Sequence, residues 1–227
     1  MTITLITGAN KGIGYETAKR LVDAGHRVFL GARDVERGTA AAESIGARFV
    51  QLDVTDDASV AAAATVVAEA EGRLDLVIHN AGVLELELTG SAALRAFDTN
   101  AAGLVRVTEA TLPLLRASAD PAVVTISSSA GSFWAVTHPD RPEYALAAPL
   151  YSASKAAATM LTLQYAKAHP EIRFVAVEPG TTATDLTAGL GIGRPPAETA
   201  NAITRIIDLG GAVRSGTLRD EFGPIAW

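Results

Sequence analysis

The chain has 227 residues, 48% of them hydrophobic, and a formal net charge of −6 with no dense basic run. That balance excludes a disordered chain and argues against nucleic acid as a partner. The absence of cysteine excludes disulfides and thiolate chemistry.

The length fits one domain that buries most of its apolar surface in a single core. The opening MTITLITGANKG is broken by glycine too early for a signal peptide or a membrane span. A cytoplasmic protein with no membrane partner is therefore the expectation. Ile3–Thr7 is a short β-branched run ended by Gly8 and predicts a buried strand. Gly8, Asn10, Lys11, Gly12, Ile13 and Gly14 then lead into a helical pattern, Tyr15–Ala24. A strand, a glycine turn and a helix start together make a pyrophosphate site, because backbone amides and the helix dipole converge there.

Arg27–Ala32 predicts a second strand, and Asp34 is placed to cap a helix reaching Ile45. Arg48–Leu52 predicts a third strand ending at Asp53 and Val54, before an Ala-rich helix to Glu71. Leu74–Ile78 predicts a fourth strand, closed by His79, Asn80, Ala81 and Gly82. Ser91–Leu115 reads as one or two helices broken near Phe97–Asn100, with Pro113 expected to kink the last turns. Ala122–Ile126 predicts a fifth strand, and Ser127–Ser129 follow at its carboxyl end. Ser132–Pro149, with its prolines and the aromatics Phe133, Trp134 and Tyr144, reads as irregular.

The helix that follows carries Tyr151 and Lys155. Residues four apart share a helix face. A neighbouring ammonium favours phenolate, so Lys155 is expected to lower the Tyr151 pKa and suit the phenol to proton exchange with a carbonyl or alcohol. Tyr15 and Lys19 have the same spacing, and spacing alone does not choose between the two pairs. Ile172–Val177 predicts a sixth strand, closed by Glu178, Pro179 and Gly180. A loop over Thr181–Pro196, a helix over Ala197–Leu209 and a terminal segment from Gly216 complete the chain. Strands alternating with helices predict an α/β fold, a single doubly wound parallel sheet of Rossmann type with helices on both faces. In such sheets ligands sit beyond the carboxyl ends of the strands.

The ordered set TGANKGIG, Asp53-Val54, Asn80-Ala81-Gly82, Asn100, Ser127-Ser128, Tyr151 to Lys155 and Pro179-Gly180 with Thr184 resembles the short-chain dehydrogenase/reductase family. The likeness covers nearly the whole chain and is nearest to its carbonyl reductases. It implies hydride transfer between a nicotinamide and a ketone, an aldehyde or a secondary alcohol. In that scheme Tyr151 is the acid/base and Ser128 donates to the substrate oxygen. Lys155 tunes Tyr151 and binds the nicotinamide ribose, while Asn100 holds a water that reaches Lys155. The resemblance makes the glycine loop, Asp53, Val54, Asn80–Gly82, Pro179, Gly180, Thr182 and Thr184 cofactor contacts. It also makes Tyr15 and Lys19 structural.

NADPH is the expected cofactor. The strand that would end in a ribose-binding acid ends instead in Ala32, followed by Arg33, with Lys11 expected to reach the same phosphate. Asp34 is the rival, as a ribose ligand for NADH. No metal is expected. His79 stands where the family usually has a second Asn, and Ser128 to Tyr151 is longer than usual. The insertion 132–149 and the loop 181–196 are expected to border the substrate cleft. The same insertion leaves monomer, homodimer and homotetramer open. A regulatory NADP-binding protein and an epimerase or lyase remain the alternatives.

Overall fold

A computed structural model describes residues 1–188 and 191–227 of the chain. Gly189 and Leu190, inside the expected loop 181–196, lie outside the described residues. The strands are β1 (Ile3–Ile6), β2 (Arg27–Ala32), β3 (Arg48–Gln51), β4 (Leu76–His79), β5 (Ala122–Ile126), β6 (Arg173–Val177) and β7 (Thr217–Arg219). All pairings are parallel, and the sheet order is β3-β2-β1-β4-β5-β6-β7.

The helices are α1 (Gly12–Asp23), α2 (Val35–Ile45), α3 (Asp57–Glu71), α4 (Gly90–Phe97), α5 (Gly103–Arg116), α6 (Phe133–Thr137), α7 (Pro149–Ala168) and α8 (Pro196–Asp208). The inner strands are largely apolar on both sides, and successive residues serve opposite faces, while the edge strands β3 (RFVQ) and β7 (TLR) are mixed. Ile3, Leu5, Phe29, Val77 and Val123 pack with α3 and α5. Ile6, Leu30, Ile78, Val124 and Ile126 pack with α1, α2 and α8 on the other face. Helices on both faces of one parallel sheet make the fold the expected doubly wound Rossmann type.

Helix starts follow local chemistry. The Asp34 carboxylate accepts from Arg37 N at α2, Asp56 accepts from Ala58 N at α3, and Thr89 accepts from Ala92 N at α4. Each such cap is worth about 1 kcal/mol. β1 lies between β2 and β4, so the chain leaves β1 to one side and later returns to the other. That switch point opens a cleft at the carboxyl ends of β1 and β4.

Several boundaries differ from the sequence reading. β4 runs through His79, which places that side chain inside the sheet layer. The break near Phe97–Asn100 is a π-helical turn, Asp98–Ala102, that joins α4 to α5 without an interruption. Pro113 sits inside α5, which runs on to Arg116. The segment 132–149 is not wholly irregular. Ser132 Oγ accepts from Ala135 N and starts α6, and a 3-10 turn covers Pro142–Ala145.

Candidate active site

The cleft over the carboxyl ends has a volume of about 580 Å³, within the range of ligand sites. Its floor begins at the glycine loop. Gly8 has φ 62°, and a Cβ there would meet the Ala81 backbone at 2.8 Å, so β1 and β4 can close together only with glycine at this position. Gly12, at φ 58°, turns the chain into α1. At that helix start Lys11 provides no side-chain cap, and the first turn holds no acidic residue. The orphan amides and the positive end of the helix dipole therefore face the cleft, as an anion requires.

Thr7 holds this corner rigid, a role the sequence reading missed. Its hydroxyl accepts from both Asn80 N and Ala81 N at 3.0 Å. Asn80 Nδ2 in turn donates to the carbonyls of Thr7 and Gly8. Both groups belong to strand ends that are distant in sequence, which hid the contact. Gly8, Asn10, Lys11, Gly12, Ile13, Arg33, Asp53, Val54 and Asn80–Gly82 all line the cleft. Gly14 does not; it is packed tightly against Asn80 and is a spacing residue.

On the far side, α7 presents Tyr151 and Lys155 to the same cleft, joined by Pro179 and Thr184. Ser128 follows β5 and its hydroxyl accepts from Ala130 N; it does not itself line the cleft, whereas its neighbour Ser127 does. Ser127 also holds α7 to β5, bonding Thr159 at 2.6 Å and the Lys155 carbonyl at 3.3 Å. Tyr15, with Lys19 exposed nearby, bonds Ser44 at 2.9 Å and joins α1 to α2, away from this constellation.

Four sequence expectations need correction. The Tyr151 phenol is not lowered; burial first, and the Glu178 carboxylate second, push it up to about 12, against a smaller opposing pull from the Ser128 hydroxyl. Lys155 Nζ donates to the Ile126 carbonyl at 2.8 Å and lies 5.7 Å from the centroid of the Tyr151 ring. Burial pushes Lys155 down to about 8, against the attraction of Glu178. Spacing brought the ammonium near the phenol, but burial of both groups outweighs its field.

Thr182 is buried, bonding the Gly180 carbonyl and Thr199, and it is not part of the cleft wall. Gly180 does not line the cleft either, and its N–H is donated to Glu178. Lys11 reaches across the cleft mouth to Asp185 at 2.5 Å and not toward Arg33, because an exposed carboxylate on the opposite wall attracts it. Asn100 spends both amide donors, on the Val83 carbonyl and on Ser154, and accepts from Val83 N. A water beside it can only donate to it. A second small cavity of about 10 Å³ lies behind Lys155, lined by Asn100, His79 and Thr125 among others. Buried His79, bonded to Thr108 at 2.9 Å, is pushed down to about 3 by desolvation.

A match to the short chain dehydrogenase family model spans residues 2–194. The chain belongs to the short-chain dehydrogenase/reductase family. It is 36% identical over 196 residues to a short-chain dehydrogenase/reductase of Stachybotrys chlorohalonatus, covering 78% of this chain and 70% of that protein. It is 30% identical to a (+)-neomenthol dehydrogenase of Arabidopsis thaliana, covering 83% and 85% of the two chains. Among solved structures, NADPH-bound carbonyl reductase from chicken fatty liver matches with a TM-score of 0.86 at 28% identity, over 100% of both chains. Membership makes the protein an oxidoreductase of small molecules that works with a nicotinamide cofactor. Among the described residues, no helix is long and apolar enough to cross a membrane.

Glu178 is the residue that the sequence reading passed over. Lying just past β6, it accepts from Ser129 N and from Gly180 N, and its charge bears on both Tyr151 and Lys155. A carboxylate at the carboxyl end of a parallel strand, next to Pro-Gly, was the available signal. The rings of Phe133 and Tyr144 in the insertion are exposed, and neither lines the cleft described here.

Proposed function

We propose that the protein is an NADPH-dependent reductase of ketones or aldehydes, able to run in reverse on secondary alcohols, with Tyr151 as proton donor. The observation that carries this reading is one cleft that joins an uncapped helix start to a protonated phenol. Tyr151 stands beside Lys155 in that cleft, at the end of β5 that carries Ser128.

The glycine-loop amides would hold the pyrophosphate, with Asp53 and Val54 flanking the adenine. Asn80–Gly82, Lys155, Pro179 and Thr184 would surround the nicotinamide end. The bound nicotinamide supplies the hydride. Ser128 then donates to the carbonyl oxygen of the substrate, as stabilisation of developing charge requires. Tyr151 gives its proton to that oxygen as the alkoxide forms. Lys155, whose ammonium donates to the Ile126 carbonyl, would hold the nicotinamide ribose and stand between Tyr151 and a water beside Asn100 that leads to solvent. A phenol pushed up to about 12 stays protonated at neutral pH, which suits the reductive direction.

For the cofactor, Arg33 carries the preference. It is exposed at the cleft wall beside buried Ala32 and has no side-chain partner among the described residues. Both carboxylate oxygens of Asp34 are taken by Arg37, through its N at 2.9 Å and its Nε at 2.9 Å. That bonding supports Asp34 as a helix cap rather than a ribose ligand. A hydrogen bond to a charged group is worth roughly 1.5–3 kcal/mol, about ten- to hundredfold in favour of NADPH. Relatives named as a dehydrogenase and as an NADPH-bound carbonyl reductase support the same chemistry. The test is oxidation of NADPH, followed optically, with a panel of ketones and aldehydes. Turnover of at least one establishes the reading; no oxidation across a broad panel would contradict it.

A further inference from the structure

We propose that Glu178 is a positioning residue of this site: its carboxylate clamps the segments that follow β5 and β6 and sets a negative charge against Tyr151 and Lys155, favouring proton donation to a carbonyl over proton removal from an alcohol. This rests on Tyr151 being the proton donor.

The geometry is a two-point clamp. One carboxylate oxygen of Glu178 accepts from Gly180 N at 2.6 Å, and the other accepts from Ser129 N. Its own N–H donates to the Arg219 carbonyl at 2.8 Å, so its backbone is part of the sheet edge. Ser129 is the neighbour of Ser128, and Gly180 is the neighbour of Pro179. Fixing both amides sets the gap between the two walls that flank Tyr151. The clamp continues outward, since Ser129 Oγ donates to Glu143 at 2.5 Å.

The charge is as informative as the bonds. The charged groups around this point are Lys155 on α7, Glu143 and Arg141 on the insertion turn, Arg194 and Glu221 on the loops, and Arg219 on β7. Glu143 is paired with Arg141 at 3.0 Å, and Arg194 with Glu221 at 2.5 Å. The Arg219 guanidinium donates to the Asp220 carbonyl. Among the described residues, no cation forms an ion pair with Glu178. Its field is therefore left to act on the two residues of the reaction, raising both Tyr151 and Lys155. A neutral amide offers one acceptor oxygen and an NH2 that only donates, so the two-point clamp itself calls for a carboxylate, and the carboxylate brings its charge to this place.

The test is the pH dependence of kcat for alcohol oxidation in wild type and Glu178→Gln, with Tyr151→Phe alongside. Oxidation needs the phenolate, so its rate rises with pH through the Tyr151 ionisation. Removing the charge should move that limb to lower pH by roughly one unit, as loss of a neighbouring like charge does. Reduction should fall off correspondingly earlier as pH rises, with KM for the cofactor little changed. Phenolate absorbance, read as the difference from Tyr151→Phe, should shift the same way without turnover. If Glu178→Gln does not fold, Glu178→Asp withdraws the charge by one methylene and must shift the limb in the same direction by less. An unmoved limb with Tyr151→Phe inactive overturns the proposal and leaves Glu178 a structural clamp. An active Tyr151→Phe instead overturns the assignment of the acid on which it rests.

Discussion

Replacing His79 with Asn should make the protein less sensitive to acid. The imidazole is buried in the sheet layer, bonded to Thr108, and desolvation alone pushes it down to about 3 from 6.5. A base held neutral in the fold contributes fully above its unfolded pKa. Below that pKa the unfolded chain takes up a proton that the folded chain refuses, so stability is lost as pH falls from 6.5 toward about 3. At about 1.36 kcal/mol per unit, moving from pH 7 to pH 5 should cost roughly 2 kcal/mol through this one residue. The assay is urea unfolding of wild type and His79→Asn at both pH values. The carboxylates titrate in both proteins and cancel in the comparison. Asn can still reach toward Thr108, so any offset at pH 7 is read separately. Wild type should lose about 2 kcal/mol more than the variant between the two conditions. Equal losses would refute the reasoning and mean that the fold admits the imidazolium.

Arg33→Ala should lower kcat/KM for NADPH by about ten- to hundredfold and leave NADH nearly unchanged. Asp34→Ala should keep the NADPH preference and lose about 1 kcal/mol of stability as the α2 cap is removed; a wild type that prefers NADH and loses it with Asp34→Ala would reverse the assignment. Gly131→Ala should destabilise by roughly 1–3 kcal/mol, as overpacking does. The added Cβ would sit 2.5 Å from Ala156 N, where the turn after Ser128 meets α7. Gly90→Ala, which meets nothing within 4 Å, is the control and should be neutral or slightly stabilising in thermal melts.

The inner strands were legible because each is a short apolar run with a clear stop, Ile3–Ile6 before the glycine loop and Ala122–Ile126 before three serines, whereas the edge strand β7, Thr-Leu-Arg, has no such run and lies within a segment read only as terminal. Asp34 and Asp56 were legible as caps because the chemistry is local. The π-helical turn at Asn100 was visible only as a break, because residue type does not distinguish a wider turn from an ordinary one; in the fold Asn100 is tied to Ser154 on α7. α6 was hidden among prolines and aromatics. Spacing put Lys155 beside Tyr151, but it carries no measure of burial, and burial decides the sign of the Tyr151 shift. Glu178 was hidden because its partners are backbone amides, that of Ser129 lying 49 positions away. Lys11 was misjudged because Asp185, 174 positions on, is brought opposite it only by the fold.

The central claim is that Tyr151 donates the proton. Its most direct test is single-turnover reduction of a ketone substrate by Tyr151→Phe with bound NADPH, beside Tyr15→Phe. The ring and its packing are kept in both variants, so cofactor binding should stay near the wild-type value. The account predicts a rate loss of roughly 10²–10⁴-fold in Tyr151→Phe, the usual worth of general acid catalysis, and little change in Tyr15→Phe. Similar rates in the two variants would contradict it.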